Sequence, residues 1–479
     1  MRKIVLLIVT GTSIVAGPFT IGPDYKRPEA GVPVEYKAAE LGTWKVAEPA
    51  DTLPKGKWWE IFGDPILNHL QNRALTANQE LQAAFAVVNQ SRAVARVARA
   101  DFFPTLDANP AFRRERISPN QEPSFGAITA NTFRMPLDLS YEIDLWGRVR
   151  RGFESARAEA QAAQAAFHNV LLTLQADLAQ NYFRLRAIDA EIAVLQRTVA
   201  LRSDQLGIVT SRLDTGLGTE LDVARARTEL ATSEAELASV KLRRIELENA
   251  IAILVGETPS SFTLARYQNA DAPWNPAPPA VPPGLPSNLL ERRPDIAEAE
   301  RQLAADNARI GVAKGAFFPA LRLTGSAGYM SAEMDSLFNW DSRFWSIGPS
   351  VSLPIFAGGR NKANLRRSRA RFEESVANYR QRVLVAFGEV ENALAGIQLL
   401  AERAAAEERA VSSARRARDL AAESYATGLT SFLDVIDADR VALQTQRTAV
   451  QTTGQRHLAA VQLIKALGGG WTMSNPNNL

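Results

Sequence analysis

Cysteine is absent from all 479 residues, which removes disulfides, thiolate chemistry and thiolate metal sites in one step. Histidine occurs only as His69, His168 and His457, too far apart for the i,i+4 pair of a helical metal site. Each reads as a packing or surface residue. The net charge of +3 is small for this length. No run of Lys and Arg is interleaved with aromatics, so the pI of 9.1 does not point to nucleic acid. No nucleophile–base pair or ligand cluster stands out; neither an enzyme nor a cofactor or metal is expected. Beyond the N-terminus no apolar run approaches about 18 residues, so any membrane crossing is expected to be made by β-strands.

Turning to what is present, the chain opens "MRKIVLLIVTGTSIVAG". Two cations, a short apolar stretch and small residues at Ala16 and Gly17 have the layout of a secretory signal peptide over 1–17. Further on, the sequence is written twice. With an offset of 212 residues, Gly147-Arg148 falls on Gly359-Arg360, Thr215-Gly216-Leu217 on Thr427-Gly428-Leu429, and Leu221-Asp222-Val223 on Leu433-Asp434-Val435. "DFFPTL" (101–106) matches "AFFPAL" (316–321) with a small slip. The repeats are expected at 65–256 and 287–468, joined by a Pro-rich segment (257–286). An extended segment (18–64) precedes them and a tail (469–479) follows.

Each repeat reads as the same series. A helix (about 65–100 and 287–316) stops at Phe-Phe-Pro. Two strands follow, then a very long helix (about 148–213 and 360–426). A Thr-Gly-Leu turn leads into a shorter returning helix (about 219–255 and 431–467). The long stretches carry Leu171, Leu174, Leu178, Tyr182 and Leu185, or Val376, Tyr379, Val383, Phe387 and Val390, in steps of three and four. That spacing lays an apolar stripe along one helix side and favours coiled-coil packing. At 1.5 Å per residue each long helix reaches about 100 Å.

The strand segments alternate. Phe133, Met135, Leu137, Leu139 and Tyr141 interleave with Arg134, Asp138, Ser140 and Glu142. Leu321 and Leu323, and then Trp345, Ile347 and Val351, do the same against Arg322, Thr324, Ser346 and Ser350. Segment 105–112 shows the weakest alternation. Period-two patterning sets an apolar face against a polar one, and about 10 residues suffice to cross a bilayer at a tilt. The apolar set is expected to face lipid. Four strands cannot close a barrel, and an open sheet edge cannot stand in lipid, so several chains would have to share one wall. Three would supply twelve strands.

In this layout, "GPDYKRP" (22–28), the two Phe-Phe-Pro stops, "DLWGR" (144–148), "FAGGR" (356–360), "FLDVIDADR" (432–440) and "ALGGGW" (466–471) resemble the TolC-like outer-membrane factors of the OprM/NodT branch. The resemblance covers essentially the whole mature chain. It implies a mixed α and membrane-β fold: a homotrimer with a 12-stranded outer-membrane β-barrel, four strands per chain, continued by a long periplasmic α-helical barrel. It also implies an RND-type tripartite efflux system, in which the channel meets a periplasmic adaptor (membrane fusion protein) and an inner-membrane pump to export drugs or other small molecules. A protein-secretion duct, and from another class a soluble periplasmic coiled-coil adaptor, are the competing readings. Many members of this branch carry a lipidated cysteine after a triplet such as Val-Ala-Gly; here Pro18 follows "IVAG", and a thioether is impossible.

The duplicated turns then have a place, at the periplasmic tip. Gly216 and Gly428 suit a left-handed helix end, and Thr219 and Ser431 can cap the next helix with Asp222 and Asp434 three residues on. By the resemblance, Asp434 and Asp437 face a constriction, Leu433 adds an apolar ring, and Tyr425 and Arg440 join bonds that hold it shut. Asp222 is expected as their latch partner from the first repeat. An Asp437–Arg440 pair at i,i+3 is the plainer alternative.

Overall fold

A computed structural model describes residues 20–28, 56–120, 128–267, 274, 276–279 and 292–469. The expected signal peptide, much of the extended segment, most of the Pro-rich connection and the tail beyond 469 lie outside the described residues. By compactness the chain divides into two units, Met1–Glu29 with Val88–Ala163 and Ala299–Tyr379, and Ala30–Val87 with Gln164–Glu298 and Arg380–Leu479.

The first repeat supplies α1 (Pro65–Ala77), α2 (Gln79–Ala100), β1 (Thr105–Ala108), β2 (Ala111–Ile117), β3 (Ile128–Ile143), α3 (Arg148–Asp214) and α4 (Glu220–Leu254). The second supplies α5 (Pro294–Gly315), β4 (Ala320–Ser331), β5 (Arg343–Ser352), α6 (Arg360–Ala426) and α7 (Phe432–Ala466). α3 and α6 have 67 residues each and α4 and α7 have 35. Both pairs start and stop 212 positions apart, the offset of the internal repeat. The reason is shared punctuation. Proline stops the helices that precede the strands, and glycine in the left-handed region ends those that follow. Gly216 (φ 77°) and Gly428 (φ 81°) close the long helices, with Leu217 N donating to Arg212 O and Leu429 N to Ser424 O, the 6→1 bond of a Schellman cap.

The first unit contains the sheet. β1 and β2 pair with β3 in one continuous register, Ala108 opposite Leu137 and Ala111 opposite Arg134. They are two halves of one strand, interrupted at Pro110, which has no N–H to give the ladder. The sheet is thus a four-stranded antiparallel meander in which β3 of the first repeat pairs with β4 of the second. β3 has 16 residues and β4 has 12, longer than the segments of about 10 expected from the alternation. Directly opposed residues share a face. Met135 with Tyr329, Leu137 with Ala327, Tyr141 with Leu323 and Leu321 with Val351 therefore place Phe133, Met135, Leu137, Leu139, Leu321, Leu323, Trp345, Ile347 and Val351 on one side. Most of its large side chains, such as Leu137, Trp345, Ile347 and Val351, are exposed in the single chain. On the other side Asp138 accepts from Ser326 Oγ (2.6 Å) and Asn109 Nδ2 (3.2 Å), and Glu142 holds Arg148 at 2.7 Å.

The second unit has its own core. Trp58, Trp59, Leu67, Leu70, Leu178, Tyr182, Leu185, Ile251 and Ile464 are buried together. Asp64 caps α1 through Ile66 N and Leu67 N, with Pro65 in the first turn, and Tyr182 donates its hydroxyl to the same carboxylate. One expectation needs correction. α6 contains an 18-residue stretch apolar enough by length and composition alone to cross a membrane. The glutamates within "VLVAFGEVENALAGIQLL" (383–400) break the run to the eye without lowering its mean hydropathy enough.

Candidate functional site at the helix-hairpin tips

The two tips, α3–α4 and α6–α7, lie in the second unit and share one small core. Val209, Val223 and Ala226 of the first repeat pack with Phe432, Val435 and Ile436 of the second, flanked by Leu206, Leu213, Ala421 and Tyr425. Amphipathic helix ends meeting this way fix the tips side by side, because each apolar stripe is otherwise left in water.

Each carboxylate then has a distinct situation. Asp222 accepts from Thr219 Oγ1 at 2.7 Å, and Asp434 accepts from Ser431 N at 2.9 Å and Ser431 Oγ at 2.8 Å. Asp434 therefore completes a capping box on α7, whereas α4 is capped by Thr219, whose hydroxyl accepts from Asp222 N and donates to the Asp222 carboxylate. The Ser431 hydroxyl and amide hold the Asp434 carboxyl below its ordinary pKa. Asp437 is free of such work. Its side chain is 64% exposed and its nearest cation, Arg440 Nη1, is 3.9 Å away. Leu433 is exposed as well.

Tyr425, Arg440 and Asp222, expected to form one latch, are each engaged elsewhere in the single chain. Arg440 grips Glu229, through Nε at 3.0 Å and a second, shorter contact from Nη2. Glu229 is shared with buried Arg202, whose Nη2 lies 3.0 Å from its other oxygen, and Arg202 also donates to Ser233 Oγ and Glu229 O. Tyr425 meets Arg212 instead. The guanidinium stands 4.6 Å from its ring centroid and donates to Tyr425 O at 3.2 Å, while burial raises the phenol pKa. Beside this network Gln205 donates to Asp439 at 2.6 Å, and burial raises the Asp439 pKa.

Glu229, Arg202 and Arg212 went unread in the sequence. The duplication held a signal for them. At the 212-residue offset Arg202 answers to Ala414, Glu229 to Val441, Arg440 to Thr228 and Arg212 to Ser424. Charged residues without a charged counterpart mark where the halves serve different ends. No group of three or more His, Asp or Glu residues that could hold a metal occurs among the described residues.

Comparisons with known proteins identify the family. The profile of the family described as "Outer membrane efflux protein" matches residues 70–257 and 285–469, one segment per repeat. The toluene efflux pump outer membrane protein TtgI of Pseudomonas putida is 34% identical over 98% of this chain and 97% of its own. The cation efflux system protein CusC of Escherichia coli K12 is 32% identical over 97% of this chain and 98% of its own. Among solved structures, the outer-membrane channel OprN superposes with a TM-score of 0.85 at 30% identity, over 94% of this chain and 99% of that one. The open state of the Neisseria gonorrhoeae MtrE channel does so at 0.79 and 29%, over 94% and 98%. The relatives are transport channels rather than enzymes or adaptors. Homologous outer membrane factors are homotrimers of the outer membrane, extending into the periplasm of Gram-negative bacteria, that work with periplasmic adaptors and inner-membrane pumps. Two repeats, a shared sheet and paired tips, matched from end to end, make this chain a member of the outer membrane efflux protein family.

Proposed function

We propose that the α6–α7 tip is the gated periplasmic entrance of a passive efflux duct, with no catalytic step of its own, and that Asp437 lines its constriction. The observation that carries this reading is the idleness of Asp437. Asp222 and Asp434 are held by Thr219 and Ser431 at the helix starts and Glu229 sits between two arginines, while Asp437 stays exposed one turn beyond Leu433, with only Arg440 at 3.9 Å. Three such carboxylates around a trimer axis concentrate negative charge at a narrow opening, which admits cations and repels anions. Leu433 supplies the apolar ring beside them, and Asp434 keeps the turn rigid. The latch is Arg202–Glu229–Arg440, joining the two repeats, with Tyr425 seated on Arg212 and Asp222 behind it.

The sheet face bearing Leu137, Leu321, Trp345 and Val351 meets lipid, and the face bearing Asp138, Arg134 and Glu142 meets the aqueous lumen. Energy comes from the partner pump. The cargo is small molecules, drugs among them, within the range suggested by relatives named for toluene and for cations. In planar bilayers, Asp437→Ala is expected to lower cation selectivity and change single-channel conductance. Unchanged conductance and selectivity would remove Asp437 from the constriction.

A further inference from the structure

The two strand-to-helix junctions are copies of one design with different charge, the first balanced and the second basic. In the first, residues 142–159 hold four carboxylates, Glu142, Asp144, Glu154 and Glu159, among their arginines. Three of those cations are neutralised on the spot. Arg148 meets Glu142 at 2.7 Å, Arg150 meets Asp144 at 3.2 Å, and Arg151 meets Glu154 and Asp24 at 2.8 Å. At the same offset the four carboxylates become Pro354, Phe356, Arg366 and Arg371. Residues 354–371 are rich in Lys and Arg and hold no carboxylate. Arg371 is taken by Asp306 at 2.9 Å. Lys362, Arg366 and Arg369 recur at i, i+4 and i+7, so they share one side of α6, and all three are exposed without an ion pair among the described residues.

Folding does not account for this stripe. Lys362, in the first turn, opposes the helix macrodipole, and Arg366 and Arg369, beyond it, gain nothing from the helix end. Next to it the apolar face of β5 continues past the strand. Leu353 is half-exposed, Ile355 95% exposed and Phe356 90% exposed, and a turn of two left-handed glycines, Gly358 and Gly359, leads into the helix. Apolar side chains and an aromatic beside a basic helical stripe are the composition of a membrane–water interface. The place agrees, since β5 leaves the barrel here for the periplasmic helix.

We propose that the β5–α6 junction is an interfacial anchor that binds anionic phospholipid headgroups of the periplasmic leaflet. Lys362, Arg366 and Arg369 meet the phosphates, and Ile355 and Phe356 enter the acyl boundary. This rests on the reading that the apolar sheet face meets lipid. Each cation at an anionic surface is worth roughly a fivefold change in binding.

The test uses the full-length trimer in uncharged detergent, titrated with dioleoylphosphatidylglycerol or dioleoylphosphatidylcholine and followed by native mass spectrometry and the thermal dissociation midpoint. The wild type and the control variant R409Q/R416Q are expected to retain phosphatidylglycerol and rise in midpoint, with phosphatidylcholine ineffective. K362Q/R366Q/R369Q is expected to need about a hundredfold more phosphatidylglycerol for the same shift. Equal response of that variant and the wild type overturns the anchor. So does its loss of the trimer, which would assign the stripe to a contact between subunits. Pore formation by both proteins in planar bilayers separates the two readings. Wild-type failure to insert sinks the lipid-facing wall and the anchor with it, whereas intact pores with an unchanged lipid response sink the anchor alone.

Discussion

Glu229 stands between two arginines in different surroundings, and the difference sets the cost of losing each contact. The Arg202 side chain is 5% exposed and that of Arg440 58% exposed. Stranding a buried charge costs about 3–5 kcal/mol, whereas an exposed pair is worth about 0–1 kcal/mol. Glu229→Gln should therefore lower the thermal midpoint of the trimer strongly, and Arg440→Ala should barely move it while raising open-channel conductance. Equal losses of stability in the two variants would refute the assignment of burial. His457 gives a second residue-scale prediction. It packs against Phe183 at 4.9 Å and Trp274 at 5.0 Å, with Nδ1 3.0 Å from Thr453 O. Burial foremost, with Arg456 nearby, holds its pKa below the ordinary value near 6.5. The unfolded chain thus takes up the proton first, so stability is lost as pH falls below about 6.5. His457→Phe keeps the ring stack and is expected to flatten that slope in melts between pH 7 and 5; an unchanged slope would place the titration elsewhere.

At the scale of elements, one substitution has opposite signs in two settings. Gly428 has φ 81°, and a Cβ added there would meet no atom within 4 Å. The cost of Gly428→Ala is then conformational, about 1–2 kcal/mol. Gly388, inside α6 with the same open space, should gain about 0.5–1 kcal/mol on becoming alanine. Midpoints moving the same way in both variants would remove the Schellman turn as the cause. The helices themselves were plain in the sequence, because Phe-Phe-Pro and Thr-Gly-Leu punctuate both repeats. The apolar window of α6 was not. It belongs to a helix of the periplasmic barrel, where Val383, Phe387 and Val390 are buried while Leu384 and Leu399 stay exposed in the single chain.

For the whole molecule, membrane insertion turns on which sheet face carries a charge. Leu137→Arg places a guanidinium among Met135, Leu139 and Ala327, and an arginine facing the middle of a bilayer costs about 2–4 kcal/mol. Ser350→Arg, on the opposite face beside Arg322, meets water. The first variant is expected to fall sharply in the amount of heat-resistant trimer recovered from outer membranes, and the second to stay near wild type. Equal recovery would mean the faces are assigned the wrong way round. Alternation made those faces legible. What it left open was the order of the strands and the seam between repeats, since β3 and β4 belong to different repeats and every apolar strand can pair with any other of its length.

By itself the sequence determined the duplication, the order of helices and strands, the two-faced strands and the turns at both tips, whereas β3 runs longer than its alternation and the helix expected over 65–100 breaks at Asn78. What it determined rests on interactions between residues a few positions apart, and local spacing records them. Only the tertiary structure decided that Arg440 serves Glu229 and Arg202, that Tyr425 sits on Arg212, and that Asp437 keeps only an exposed contact with Arg440. Glu229 and Arg440 are 211 residues apart, and no local pattern specifies a partner at that distance. Packing of the two tips on one core selects it, when burial of the apolar stripes brings charges that must be matched to the same place.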